Sequence, residues 1–239
     1  MAREIVFDTE TTGKRYQDNH RIVEIAAVEI VDGKLTGKTF HTLVNPEMNI
    51  PDEVIAIHGI TNAMVANAPK FREIVPKLVE FFQGAIAIAH NSEFDEKFIN
   101  HELQLAEHKD SFWSIVEDTV DTIDMSRKIW RGFKDEKGNK IRHDLDSVLD
   151  RCGIDRTSRT KHGALIDSEL LAEAYASLKQ KIIDMGPTLE DDVPRPPIKR
   201  LTLKNSLPSV QLSESDMEAN DAILKKINPS SSPSPQLKV

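Results

Sequence analysis

Cysteine, aromatic residues and positive charge are all scarce in this chain. The one cysteine, Cys152, excludes an intramolecular disulfide framework and a cysteine-rich zinc site, and a reducing cytoplasm is the compartment that fits. No apolar run approaches the length that spans a bilayer. Met1-Ala2-Arg3-Glu4 passes directly into a strand-like segment, so neither a secretory signal nor any membrane partner is expected. Lysine and arginine number 31 against 39 aspartates and glutamates, a formal net charge of -8. Such a balance argues against a free-standing, tight nucleic-acid binder, which needs a basic face. It does not exclude an enzyme that receives its polynucleotide from a partner. There is no Gly-x-x-x-x-Gly-Lys-[Ser/Thr] stretch, which removes a P-loop nucleotidase. No aromatic residue follows Tyr175, and eight of the 12 prolines lie beyond Gly186. That segment cannot bury enough apolar surface to fold alone.

What is present is acidic chemistry at chosen places. Ile5-Val6-Phe7-Asp8-Thr9-Glu10-Thr11-Thr12-Gly13 is a short apolar run ending in two carboxylates one residue apart. In a strand, side chains at i and i+2 point to the same side, so Asp8 and Glu10 project together. Like charges so close are costly without a cation between them, and oxygen ligands suit Mg²⁺ or Mn²⁺. A second stretch, His90-Asn91-Ser92-Glu93-Phe94-Asp95, follows the apolar run 85–89; a third, His162-Gly163-Ala164-Leu165-Ile166-Asp167, leads into a long helical pattern. Asp167 falls at the edge of that helix's apolar stripe, where an unpaired carboxylate is expensive and a cation would relieve it.

The periodicities give an order of elements. Residues 3–8, 21–31 and 38–45 read as a three-stranded meander with a hairpin at Asp32-Gly33. Residues 46–69 form a loop with short helical turns. The spacing predicts a helix over 71–83, with Pro76 delaying its start or bending it. Residues 85–90 read as a buried strand and 92–106 as a helix in which Ser92-x-x-Asp95 fits a capping box. A strand-like piece and a helix fill 112–133, a hairpin-like loop turns at Gly138-Asn139, Asp144 caps a helix over 144–152, and the clearest helix covers 163–180. This is an α/β chain with a mixed sheet flanked by helices. Residues 186–212 read as a flexible Pro-rich linker, 213–228 as one amphipathic helix suited to docking on a partner, and 229–239 as a disordered end.

Acid-x-acid, then His-Asn-x-x-Phe-Asp, then His-x-x-x-x-Asp, in that order, resembles the histidine variant of the DEDD exonuclease superfamily, and within it the proofreading epsilon subunits of bacterial DNA polymerase III. Gly163 stands where the tyrosine variant would carry its tyrosine. The resemblance spans residues 3 to about 180 and implies a ribonuclease H-like exonuclease domain over 1–185, with a five-stranded sheet. It implies 3′-to-5′ hydrolysis of DNA to nucleoside 5′-monophosphates with two divalent ions, Mg²⁺ or Mn²⁺, roughly 3.5–4 Å apart. Asp8, Glu10, Asp95 and Asp167 would be the metal ligands and His162 the general base. Asp8, Thr9, Glu10, Thr12, Ile57, His58, Asn91 and Asp167 would contact the substrate, a single-stranded or frayed 3′ end. Asp146 is read instead as a first-turn complement to a helix dipole. The implied partners are the polymerase alpha subunit through the C-terminal segment, a theta-like subunit, and a sliding clamp at Gln180-Lys181-Ile182-Ile183-Asp184-Met185. The protein would then work in the bacterial cytoplasm at the nucleoid. The alternatives are an RNA-trimming exonuclease of the oligoribonuclease or RNase T type, or a non-catalytic adaptor on a decayed nuclease fold.

Overall fold

The structure is a computed structural model and describes residues 3–157 and 162–186. The linker, docking helix and end expected over 187–239 lie outside the described residues. Five strands, β1 (Arg3–Thr11), β2 (Ile22–Val31), β3 (Lys34–Leu43), β4 (Ile86–Ala89) and β5 (Asp118–Asp121), form one sheet in the order β3-β2-β1-β4-β5. The first three make the meander: β1–β2 and β2–β3 are antiparallel, and Asp32 and Gly33 turn the hairpin at φ 52° and 75°. β1–β4 and β4–β5 are parallel.

Two short helices, α1 (Asp52–His58) and α2 (Asn62–Val65), precede α3 (Phe71–Phe82). Then come α4 (Ser92–Leu105), α5 (Phe112–Ile115), α6 (Thr122–Ile129), α7 (Leu145–Cys152) and α8 (Ala164–Met185). Alternation along β1 divides the helices between two faces. Ile5 and Phe7 pack with Phe71, Leu78, Phe82, Phe98 and Ile99 of α3 and α4. Val6 packs on the other face with Val28, Ile88, Leu171 and Tyr175, beneath α8. Asp8 and Glu10 continue the face of Val6, and Thr9 continues that of Phe7. Among the described residues, no helix is long and apolar enough to cross a membrane.

Some expected boundaries are corrected. β1 runs on to Thr11, and a register shift between Glu10 and Thr11 ends its regular pairing, so the two acids lie within the strand instead of closing it. β3 starts at Lys34, four residues before the expected start, because an edge strand with one open side needs no apolar alternation. Helix α3 starts at Phe71 in spite of Pro76; the buried stripe Phe71, Ile74, Val75, Leu78 and Phe82 outweighs the one backbone bond that the proline forfeits. Residues 180–185 continue α8, with Gln180 donating to Asp184 at 2.8 Å.

Candidate active site

The parallel ladder between β1 and β4 ends at Val6–Ile88. Beyond it the strands part, at the point where the sheet changes from antiparallel to parallel neighbours. Open α/β sheets place their ligand sites at such a fork, outside the carboxyl ends of the strands. The backbone N–H of Thr9 has lost its ladder there, and a buried donor needs an acceptor. Asp95, from the first turn of α4, supplies it. Its Oδ1 accepts the Thr9 N–H at 3.0 Å and the Thr9 hydroxyl at 2.6 Å. The capping box expected at Ser92-x-x-Asp95 is therefore not formed. The N-cap is Asn91, held at φ 71° and ψ 53°, a left-handed conformation that asparagine tolerates better than most residues. Its N–H donates to Asp121 Oδ1 at 3.0 Å, and its side chain makes no cap bond. Asp95 is only 2 % exposed. Burial pushes its carboxyl up to about 7, against the pull of the two Thr9 hydrogen bonds. A neighbouring cation is what would offset that cost.

On the α8 side, Glu10, His162 and Asp167 bring one donor atom each to within 4.8 Å of one another. Asp167 is 3 % exposed, and its Oδ2 lies 3.4 Å from His162 Nδ1; the His162 ring is half exposed. Two carboxylates and an imidazole converging at the end of a strand form a donor set that a divalent cation fits, and the mutual repulsion of the acids is relieved by one. Asp8 lies one strand residue pair before Glu10 on the same face, but it is not within that three-residue group.

The placement of α8 depends on residues that the sequence reading passed over. Glu24 is the Cα partner of Glu10 across β1–β2 and is buried. Its Oε2 accepts the Ala164 N–H, one of the otherwise orphaned donors of the α8 N-terminus, at 2.9 Å. Its Oε1 lies 2.7 Å from His41 Nε2. Ser168 Oγ sits 2.7 Å from Ala164 O and 3.2 Å from Ala26 O, pinning the same turn to β2. Further along, the Tyr175 hydroxyl and Lys179 Nζ both donate to the buried Glu4, at 2.7 and 2.6 Å. A glutamate inside an Ile/Val-rich alternating run, on the face shared by Glu10, is the signal that could have found Glu24.

The remaining expected residues are distributed around this centre. Thr12 is fully buried; its Oγ1 accepts the Arg21 N–H at 3.0 Å and lies 3.1 Å from His20 Nδ1. The Thr12 hydroxyl fixes the loop after β1. A Cβ at Gly13 would meet the His20 ring at 2.4–2.6 Å, so a larger residue there would displace that ring. His58 is buried at the end of α1, with Nδ1 accepting the Ile60 N–H at 2.9 Å, while Ile57 is 51 % exposed. Neither is part of the Glu10, His162 and Asp167 group.

Acids and a histidine gathered beside a fork of parallel strands form a donor set that suits metal-dependent hydrolysis. Comparison with known proteins supplies the family. The model of the Exonuclease family matches residues 5–175. The DNA polymerase III subunit epsilon of Rickettsia conorii is 42 % identical over 176 residues, covering 74 % of this chain and 73 % of that protein. Its counterpart in Haemophilus influenzae is 31 % identical over 244 residues, covering 95 % and 91 %. Among solved structures, Exonuclease X in complex with 5′ overhanging duplex DNA superposes with a TM-score of 0.53 at 26 % identity, over 80 % of this chain and 96 % of that one. The chain belongs to the Exonuclease family, and within it to the epsilon subunits of DNA polymerase III. It is a 3′-to-5′ exonuclease on a ribonuclease H-like sheet, and the RNA-trimming and adaptor alternatives are not favoured.

Proposed function

We propose that the chain removes mispaired nucleotides from a DNA 3′ end with Asp8, Glu10, Asp95 and Asp167 holding two divalent ions, Mg²⁺ or Mn²⁺, and His162 as general base. The convergence of Glu10, His162 and Asp167 within 4.8 Å at the strand fork carries this reading. Bound there, the ions would supply Lewis-acid stabilisation of the charge that develops on the attacking and leaving oxygens.

The protein's own groups do the rest. His162 Nδ1 faces Asp167, which favours the tautomer with its proton on Nδ1 and its lone pair on Nε2. The ring then takes a proton from water on the open side of the site, which suits its half-exposed position. Thr9 locks Asp95 by two hydrogen bonds, so that this carboxylate is presented in one orientation. Asp8, Thr9, Glu10 and Asp167 touch the terminal nucleotide around its scissile phosphate. Thr12 takes part through its backbone, Asn91 borders the strand path, and exposed Ile57 with His58 beside it packs on the terminal base.

Residues 1–185 are the nuclease domain in this reading. Residues 186–212 link it to a helix over 213–228 that docks on the polymerase alpha subunit, followed by the end at 229–239. The proline content beyond Gly186 supports that division, as does the Haemophilus relative, whose similarity runs through 95 % of this chain. A theta-like subunit and a sliding clamp at residues 180–185 are further partners; Ile183 and Met185 are exposed there. The site of action is the bacterial cytoplasm, at the nucleoid. Net acidity suits an enzyme whose primer is held by others. The test is single-turnover hydrolysis of primer termini that differ only in pairing. Faster release from the mispaired, frayed end is expected, and equal rates would overturn the proofreading assignment.

A further inference from the structure

The Glu24 carboxylate has two oxygens, and the start of α8 accounts for only one of them. The other, Oε1, lies 2.7 Å from His41 Nε2. His41 stands on β3, the edge strand of the sheet, two strands away from Glu10. Its Cα partner on β2 is Ala26, while Glu24 is paired with Leu43. His41 therefore meets Glu24 as a diagonal neighbour on the same face of the antiparallel pair. Glu24 is in turn the Cα partner of Glu10. We infer that His41 is a positioning residue for the cleavage: it holds the Glu24 carboxylate turned toward the N-terminus of α8, and through it fixes Asp167 and His162 relative to Glu10.

The physical reason is a buried carboxylate beside other acids. Glu24 is buried, and Glu10 and Asp167 bring two more carboxylates to the same end of α8. An ionised carboxylate only accepts hydrogen bonds, and once buried it needs a donor at each oxygen. The Ala164 N–H serves Oε2 at 2.9 Å, and the imidazole serves Oε1, so His41 carries a proton on Nε2. With both oxygens engaged, the carboxylate has one orientation, and its charge lies at the positive end of the α8 dipole. The last torsion of a glutamate is otherwise soft. Without the imidazole, the carboxylate turns about it, and the helix start loses its fixed acceptor.

The His41 side chain is 38 % exposed. Truncating it therefore forfeits less packing than truncating a core residue, and what is lost is chiefly the hydrogen bond. Two amides imitate the ring selectively. The glutamine amide nitrogen falls near the place of Nε2 and reaches Glu24; the asparagine amide nitrogen falls near that of Nδ1 and does not.

The inference rests on the exonuclease reading, and the test separates the two. The parent, His41→Asn, His41→Gln, Glu24→Ala and His41→Asn/Glu24→Ala are compared on a single-stranded DNA oligomer with excess Mg²⁺. The Mn²⁺ concentration giving half of the metal-induced rise in melting temperature is measured for each. His41→Asn should lower kcat about 5- to 20-fold and raise the Mn²⁺ midpoint by a similar factor, as for residues that orient metal ligands from behind. KM for the oligomer should stay within about 2-fold, because uniform binding of substrate is untouched. His41→Gln should recover most of both losses. In the Glu24→Ala background, His41→Asn should cost nothing further, since a residue that acts only through Glu24 then has nothing to act on. A His41→Asn chain with parental kcat and midpoint overturns the inference. So does a His41→Gln chain as impaired as His41→Asn, and so do additive losses in the double variant, which would give His41 a role apart from Glu24. If the parent cleaved no DNA, the exonuclease reading itself would fail. The Mn²⁺ midpoints would then still decide His41, with equal values in parent and His41→Asn overturning it.

Discussion

Glu24 and Ala164 are 140 residues apart in sequence, yet the carboxylate of one accepts the backbone N–H of the other at 2.9 Å. That bond joins the strand opposite Glu10 to the helix that carries Asp167. It makes the spacing between the acids a property of two elements locked together.

Glu24→Ala leaves the Ala164 N–H buried without its acceptor, at a cost of about 1–3 kcal/mol in stability. The helix start is also released, so kcat should fall about 10- to 100-fold, more than a small shift of position would suggest for a residue that touches no substrate. Glu24→Gln keeps an acceptor oxygen and should recover most of both. Denaturant midpoints and kcat, measured on the same preparations, check this; a destabilised Glu24→Ala protein with parental kcat would contradict it.

Asp95→Asn should separate stability from activity. The amide oxygen can still accept both Thr9 hydrogen bonds, and a neutral group replaces a carboxyl whose charge burial penalises. Thermal stability without metal should hold or rise. Activity should drop about 10²- to 10³-fold, as for the loss of one charge-stabilising group at a reacting centre. A protein that unfolds, or one that cuts at the parental rate, would contradict the role given to this residue.

At the far end of the sheet, Glu29 gives an acid-stability expectation. The hydrogen bond from Arg3 at 2.5 Å, helped by those from Thr36 and Lys38, holds its carboxyl down to about 2 although it is buried. A carboxyl lowered in the folded state stabilises above its unfolded pKa, near 4.5, and that contribution is lost as pH falls from there toward 2. Glu29→Gln should therefore be less stable than the parent at pH 7, with the gap closing below about pH 4. Urea melts at a series of pH values test it; a gap that is constant with pH would contradict it.

Much of the site was legible because strand periodicity is rigid. Asp8 and Glu10 had to share a face once residues 3–8 read as a strand, and Asp167 had to sit by the apolar edge of its helix. Asp95 was harder: Ser92-x-x-Asp95 is a local pattern, and its true partner, the N–H of Thr9, lies 86 residues upstream and is available only because β1 and β4 part beyond Val6–Ile88. Glu24 was missed for the same reason, since alternation tells which residues share a face but not that α8 covers it. Thr12 looked like a hydroxyl on a turn; its partners are His20 and the Arg21 N–H, at the far end of the loop. The start of β3 was obscured because an exposed edge strand carries no apolar signature.

If the acids and His162 act together on a metal-dependent phosphodiester cleavage, removing the metal and removing the imidazole must each impair it. The most direct measurement follows a 5′-labelled single-stranded DNA with Mg²⁺ or Mn²⁺, with and without EDTA, for the parent and for His162→Ala. The expected result is a ladder shortening from the 3′ end, abolished by EDTA and slowed about 10²- to 10⁴-fold in the variant. A ladder that survives EDTA, or a His162→Ala protein that cuts at the parental rate, would contradict it.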